Sequence, residues 1–167
     1  MRKLILLFAW LIALSGSYAF AQSGATALSV LTKKEPAVKW NEKSQIKGDF
    51  DYDGVIDYAL RGRKGKSFVL GVVKGALSGK SSHWTMEFGE DSGDQGSLCS
   101  VNSARITVEN LNKDYVRFAA DYLEDDFTKM IKSLPKNSKG INVYDGLCDS
   151  FHVFWDKKAK RFTWWRI

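Results

Sequence analysis

The sequence predicts an α+β fold that is mainly antiparallel β, either a compact single sheet or a sandwich, with one packed helix. Short runs rich in β-branched and aromatic residues alternate with glycine- and lysine-containing turns, a pattern typical of hairpin-connected strands. Residues 113–133 differ, because their apolar side chains recur at three- and four-residue steps. This spacing predicts a helix, which Pro135 would end.

The N-terminus has the pattern of a secretory signal peptide, predicted to span residues 1–21. Met1-Arg2-Lys3 is basic, an apolar run follows, and Ala19-Phe20-Ala21 supplies small residues before a cleavage point. The apolar run is too short to cross a bilayer, and no cysteine follows the cut, so we expect no membrane anchor after cleavage. We therefore expect a periplasmic or secreted protein with a single β-rich domain over residues 22–167.

Composition narrows the function classes. The formal net charge of +6 falls to +4 once Arg2 and Lys3 are removed, which favours solubility and anionic partners but is too weak to argue for nucleic acid. Cys99 and Cys148 are the two cysteines of the chain, and an oxidising compartment predicts a disulfide between them. Closing that loop would stabilise the fold by roughly 4 kcal/mol in the chain-entropy description.

The elements follow in order along the chain. Residues 23–34 are either a short helix or a disordered leader, and Glu35-Pro36 breaks any helix there. A short strand is expected around 38–40. The other predicted strands are 55–60, 67–73, 83–88, 104–108, 151–155 and 162–166, with a basic turn at 61–66 and a charged hairpin tip at 156–161.

The stretch 49–57 is the chemically most informative part of the sequence. It places carboxylates at loop positions 1, 3, 5 and 9 and a glycine at position 6. Such a cluster repels itself unless a cation lies among the oxygens, and a hard divalent ion, calcium, suits an all-oxygen ligand set. The predicted metal ligands are Asp49, Asp51, Asp53, Asp57 and the backbone carbonyl of Val55. Gly54 would allow the sharp turn, and Ile56 would be free to enter the core.

Position 12 argues against an EF-hand, because Leu60 stands where that loop has a bidentate glutamate. The stretch instead resembles the calcium loops of FG-GAP and VCBS-type repeats, roughly D-x-D-G-D-G-x-x-D followed by a strand. The resemblance implies a structural calcium site of modest affinity. Tyr52 departs from the pattern at loop position 4, where a small residue is usual. A positive φ at that position would strain a tyrosine and weaken calcium binding.

Three tryptophans near the C-terminus are candidates for core packing or partner binding. At strand spacing, Trp155 and Trp164 share one face of a hairpin, and Trp165 takes the other. One face should be core, and the other is a candidate surface for a protein or a sugar ring.

No catalytic constellation stands out in the sequence. His83 and His152 lie in predicted strands, and a zinc site would need more ligands at suitable spacing. We therefore expect a non-enzymatic, calcium-binding protein of the cell envelope that binds a protein or glycan, for example an inhibitor or immunity protein against a wall-targeting partner. The alternative is a small calcium-dependent hydrolase that uses the acidic loop 90–94 beside His83.

Overall fold

The computed structural model describes residues 25–111 and 125–166. The predicted signal peptide lies outside the described residues. The elements are α1 (Ala27–Lys34), β1 (Lys39–Trp40), a 3₁₀ turn (Glu42–Ser44), β2 (Ile46–Gly48), β3 (Asp57–Lys64), β4 (Ser67–Val73), β5 (His83–Phe88), β6 (Arg105–Asn110), α2 (Asp125–Lys132), β7 (Lys139–Tyr144), β8 (Phe151–Asp156) and β9 (Arg161–Arg166). The fold is thus α+β and mainly antiparallel, as the sequence predicts.

The first sheet is built around the hairpin of β3 and β4. β5 pairs with β4 on one side, and β1 and β2 together pair along the other side of β3, all antiparallel. The 3₁₀ turn between β1 and β2 interrupts this edge, and the hydroxyl of Ser44 accepts the Arg61 backbone N–H at 3.0 Å. β1 and β2 therefore act as one edge strand broken by a turn.

The second sheet is a four-stranded antiparallel meander in the order β6-β7-β8-β9. Trp164 pairs with Val153 and Phe162 pairs with Trp155 across the terminal hairpin. Aromatic and β-branched cross-strand pairs of this kind stabilise antiparallel sheets.

The main core lies between the two sheets, so the fold is a sandwich. Phe68, Leu70 and Val72 of β4 alternate with residues that face outward, and they meet the inward face of the second sheet. Phe88 of β5 packs on Phe151 of β8 with ring centroids 4.6 Å apart. The two sheets therefore bury one shared apolar interior.

Each helix covers the outer face of one sheet. In α1, Val30 and Leu31 pack with Leu60 and Val73 of the first sheet. Thr26 caps this helix in a reciprocal capping box with Ser29. Of the two alternatives for residues 23–34, a short helix is therefore the one observed over the described residues.

The second helix covers the outer face of the second sheet. In α2, Ile131 packs with Phe154 and Trp165. Of the helix predicted over 113–133, residues 125–132 are helical, and residues 113–124 fall in the gap that the structure leaves undescribed, 112–124.

Three sequence-based expectations differ from the fold. The basic turn expected at 61–66 is mostly strand, because β3 continues to Lys64 and only Gly65-Lys66 forms the turn. β2 and β7 were not expected, since each is short or broken in pattern by glycine and polar residues. Pairing with neighbouring strands stabilises these two segments as strands although their local β-propensity is weak.

Candidate metal centre

The aspartate loop 49–56 joins β2 to β3 at the start of the central hairpin. Tyr52 and Gly54 both have left-handed backbones, with φ of 63° and 87°. Gly54 adopts this region without a steric cost, whereas Tyr52 is strained. The positive φ on which the strain at position 4 depends is therefore present, and weaker calcium binding as its consequence stays a prediction.

Three carboxylates of the loop converge. Single oxygens of Asp49, Asp51 and Asp57 all lie within 4.8 Å of one another. Calcium–oxygen bonds of 2.3–2.6 Å put ligands on opposite sides of the ion about 5 Å apart, so this spacing is compatible with one shared ion. Backbone N–H groups orient the side chains, since Asp53 and Gly54 both donate to Asp49 at 3.0 Å.

Asp57 anchors the loop to both strands of the hairpin. Its Oδ2 accepts the N–H of Phe50 at 2.9 Å and of Asp51 at 3.3 Å, and its Oδ1 accepts the N–H of Gly75 at 3.0 Å. Burial raises the pKa of Asp57 to about 6, with the negative charge of Asp51 adding to the rise and the three N–H donors opposing it. A cation beside Asp57 would favour its ionised form.

Lys74 supplies a positive charge that the sequence-based interpretation missed. Its Nζ lies 2.8 Å from Asp51 Oδ2 and 2.6 Å from Asp53 Oδ2. These hydrogen bonds raise the pKa of Lys74 and lower the pKa of Asp53. Asp53 thus lies beside Lys74 and outside the converging group of three carboxylates.

The predictions for Val55 and Ile56 have different outcomes. The N–H of Val55 donates to Asp53 Oδ1 at 2.8 Å, and metal coordination by the Val55 carbonyl stays a prediction. The expectation that Ile56 enters the core is wrong, because its side chain is 50% exposed. Phe50 takes the interior position instead and is fully buried in the main core.

The residues of the loop fit a hard divalent ion chemically. The converging ligand atoms are all carboxylate oxygens, the ligand type that calcium and magnesium prefer. The four aspartates and the single charge of Lys74 leave a formal charge of −3. A divalent ion would bring the loop close to neutrality, which Lys74 alone does not achieve.

The predicted disulfide is present. Cys99 and Cys148 are bonded with Cα atoms 5.8 Å apart, and the bond joins the segment before β6 to the β7–β8 loop. Asp145 holds the same junction together, accepting the backbone N–H groups of Cys99, Ser100, Leu147 and Cys148 at 2.7–3.0 Å. Burial alone would raise the pKa of Asp145, but the four donors outweigh it and lower the pKa.

The tryptophans divide between the two faces of the hairpin as strand spacing predicts, but the expectation that Trp165 could bind a partner is wrong, because its side chain is buried. Trp155 and Trp164 share the face toward the main core and are partly buried there, while Trp165 is buried on the opposite face under α2. Trp155 also lines a groove of about 510 Å³ between α2 and the β8–β9 tip. The other lining residues are Lys129, Ser133, Leu134, Asp156, Lys157 and Lys158.

The acidic loop 90–94 and His83 lie at opposite ends of β5. His83 begins the strand and its Nε2 lies 3.0 Å from Glu35 Oε1, whereas the loop follows the end of the strand at Phe88. Six extended residues separate the two ends by about 17 Å. In the loop, Glu90 accepts the Val101 N–H and Asp94 accepts the Gly96 N–H and the Ser97 hydroxyl. The geometry does not assemble the catalytic pair that the hydrolase alternative requires.

No protein-family model, curated protein or solved structure matches this chain. Within residues 25–111 and 125–166, none of the helices combines the length and the apolar character needed to cross a bilayer.

Proposed function

We propose that this chain is a non-enzymatic binding protein of the cell envelope whose β-sandwich is braced by calcium at loop 49–57. The observation that carries the proposal is the convergence of Asp49, Asp51 and Asp57 oxygens within 4.8 Å. The loop is then a single calcium loop of the FG-GAP and VCBS kind, grafted onto a sandwich.

A bound ion would act on the fold because loop side chains reach both apolar layers. Phe50 is buried between the sheets, and Tyr52 packs against the cluster under α2 that contains Phe154 and Trp165. The loop therefore runs around the edge of the sandwich and contacts both faces of the second sheet. An ion that fixes the loop backbone also fixes these two packing contacts, so binding and folding are coupled.

The groove beside Trp155 supports a binding role. The groove suits an acidic partner, because the indole ring of Trp155 supplies contact area, and Lys157 and Lys158 supply positive charge that outweighs the single carboxylate of Asp156. The volume of about 510 Å³ lies within the range of sites for small ligands, so it accommodates an inserted side chain or a sugar ring. An inhibitor or immunity protein acting on a wall-targeting partner fits this surface.

Export is part of the proposal. Residues 1–21 carry the signal-peptide pattern, and the Cys99–Cys148 disulfide agrees with a periplasmic or extracellular location, where such bonds persist.

Calorimetric titration of residues 22–167 with calcium chloride tests the metal site. We expect one ion per chain with a Kd on the order of 10⁻⁴ to 10⁻³ M, the range of extracellular modules. Asp49→Asn removes one converging carboxylate at a partly exposed position and should weaken binding by about tenfold or more. Asp91→Asn, on an acidic loop without converging oxygens, is the matched control. Absence of binding to the wild type, or equal weakening by both substitutions, would contradict the metal site.

The groove is tested by the substitution Lys158→Glu in a pull-down from envelope extract, with Lys66→Glu as the control. Lys158 is an exposed lysine that lines the groove, and Lys66 is an exposed lysine in the β3–β4 turn, away from it. A captured partner should be lost with Lys158→Glu and kept with Lys66→Glu. Retention by both variants would contradict the groove as the binding surface.

A further inference from the structure

A second charged site lies at the other end of the β3–β4 hairpin and is independent of the aspartate loop. Arg61 and Arg63 project from alternate positions of β3, and Lys39 stands opposite Arg63 on β1. The turn 101–104 covers them from the second sheet, with Arg105 following at the start of β6. Three cationic side chains therefore line one cleft at an open end of the sandwich, and Arg105 lies beside Arg61 next to it.

The described residues supply no carboxylate partner for these four cations. The ion pairs of the described chain join Lys64 to Glu87, Lys74 to Asp51 and Asp53, and the two histidines to glutamates. Burial lowers the pKa of Arg61, and the nearby positive charges of Arg105 and Arg63 lower it further.

Like charges placed directly opposite on neighbouring strands destabilise a sheet. The Lys39–Arg63 pair is such an arrangement, and Arg61 and Arg105 both donate to the carbonyl of Ala104, at 2.5 and 3.3 Å, which brings their guanidinium groups together. An anion held among the four side chains would remove this repulsion.

The donors needed to hold an anion are present. Arg61 uses one nitrogen to reach Ala104, and Arg63 uses one nitrogen to reach the Asn102 side chain at 2.6 Å. A guanidinium carries five N–H donors in a planar fork, so each arginine keeps further donors for a ligand. These two contacts fix the directions of the two guanidinium groups.

The shape of the site restricts the ligand. The cleft between β1, β3 and the turn 101–104 has a volume of about 130 Å³, well below that of sites for drug-sized ligands. It admits a compact group only. The three positive charges that line the cleft, with Arg105 beside Arg61, favour a multiply charged oxyanion over a single carboxylate, and the arginine forks match phosphate oxygens in a bidentate manner.

We propose that the cleft formed by Lys39, Arg61, Arg63 and the turn 101–104 binds a phosphate group. Two sources carry this group, a free phosphate or phosphomonoester and a phospholipid headgroup. The site lies apart from the aspartate loop and from the groove at Trp155, so it adds an anion-recognition function to the proposed binding protein.

The test is a calorimetric titration of residues 22–167 with sodium phosphate at constant ionic strength, in chelator so that the outcome does not depend on calcium. Sodium acetate is the monovalent comparison. A second arm measures co-sedimentation with phosphatidylcholine vesicles containing phosphatidic acid, against phosphatidylcholine alone. Arg63→Gln is the principal variant, because Arg63 is partly exposed and ties down no buried group. Arg161→Gln, at the start of β9, is the matched control.

We expect saturable binding to phosphate or to the phosphatidic acid vesicles, at least about tenfold weaker binding of acetate, and about a tenfold loss in Arg63→Gln with none in Arg161→Gln. Arg63→Lys, which keeps the charge and loses the fork, should fall between wild type and Arg63→Gln. Binding in solution alone identifies free phosphate as the source, and binding to the vesicles alone identifies the headgroup. No binding in either arm, equal binding of acetate, or binding that Arg63→Gln leaves unchanged would overturn the proposal.

Discussion

Gly54 and Tyr52 hold the backbone of the aspartate loop in its curled shape. Both are left-handed, and no atom lies within 4 Å of the position a Cβ would take at Gly54. The cost of a side chain at Gly54 is therefore almost entirely backbone strain. At Tyr52 the strain is offset, because the ring packs against the cluster under α2 and lies 5.6 Å from the ammonium group of Lys157.

The substitution Gly54→Ala isolates that strain. We expect the free energy of unfolding in chelator to fall by about 1–2 kcal/mol, because an L-residue resists the left-handed region. The measurement is urea denaturation followed by tryptophan fluorescence. Gly79→Ala is the control, since Gly79 also has open space around it but no positive φ, and its effect should be within about 0.5 kcal/mol. Equal losses in the two variants would show that φ at Gly54 is not the cause.

Asp145 is the second residue on which local order depends, and its ionised form is the one that accepts four N–H groups. Because its pKa is lower in the folded than in the unfolded chain, its stabilising effect is fully present above the unfolded value near 4 and is lost as the pH falls through the folded pKa.

We expect Asp145→Asn to lower the free energy of unfolding at pH 7 by about 2 kcal/mol or more, because an amide nitrogen cannot accept these donors. The variant should also show a shallower loss of stability below pH 4 than the wild type. Urea denaturation at a series of pH values measures both effects. Asp149→Asn, at an exposed position in the same loop, is the control. Parallel pH curves for wild type and Asp145→Asn would contradict the assigned role.

At the scale of elements, the β3–β4 hairpin determines which charge meets the aspartate loop. A two-residue turn led by Gly65 (φ 58°) sets a register in which Tyr58 pairs with Val73. Continuing that register places Lys74 beside Asp57, at the mouth of the loop. The position of Lys74 opposite Asp57 could be inferred from the sequence, since turn length fixes hairpin register. The prediction that the whole of 61–66 is a turn gives a different register and therefore misses this contact.

The substitution Lys74→Met tests the charge balance between this hairpin and the loop. In chelator, Asp51 is left largely buried without its cation, so we expect the free energy of unfolding to drop by about 1–2 kcal/mol. In saturating calcium most of this loss should be recovered, because the ion replaces the ammonium group. Lys80→Met, in the exposed turn after β4, is the control. An equal loss with and without calcium would contradict competition between Lys74 and the ion.

At the scale of the whole molecule, the strands with clear alternation or a dense run of aromatics could be predicted from the sequence. β4, β5 and the terminal hairpin lie within one residue of the predicted bounds, because both faces of these strands are apolar or sharply patterned. β7 could not be predicted from the sequence, because Lys139-Gly140 and Asn142 interrupt any alternation of polar and apolar residues. Its pairing with β6 and β8 determines its conformation. The contact of Arg61 with Ala104 and the contacts of Asp145 with Cys99 and Ser100 join residues distant in the sequence, which no spacing rule reveals.

The same distinction applies to the candidate metal site. Of the four aspartates that the spacing predicts to converge, Asp49, Asp51 and Asp57 do so on a curled backbone held by a glycine, and their binding of calcium stays a prediction. The sequence did not indicate that Asp53 would turn toward Lys74, since that depends on hairpin register. Phe50 and Tyr52 connect this loop to both apolar layers, so the state of the loop should affect the stability of the whole sandwich.

Thermal denaturation of residues 22–167 with 10 mM calcium chloride and with chelator tests the central claim most directly. For a Kd near 10⁻³ M, the ion contributes about 1.4 kcal/mol, so calcium should raise the midpoint by about 3–6 °C, and Asp49→Asn should remove most of the shift. Identical wild-type midpoints in calcium and in chelator would contradict the claim that a divalent ion braces this fold.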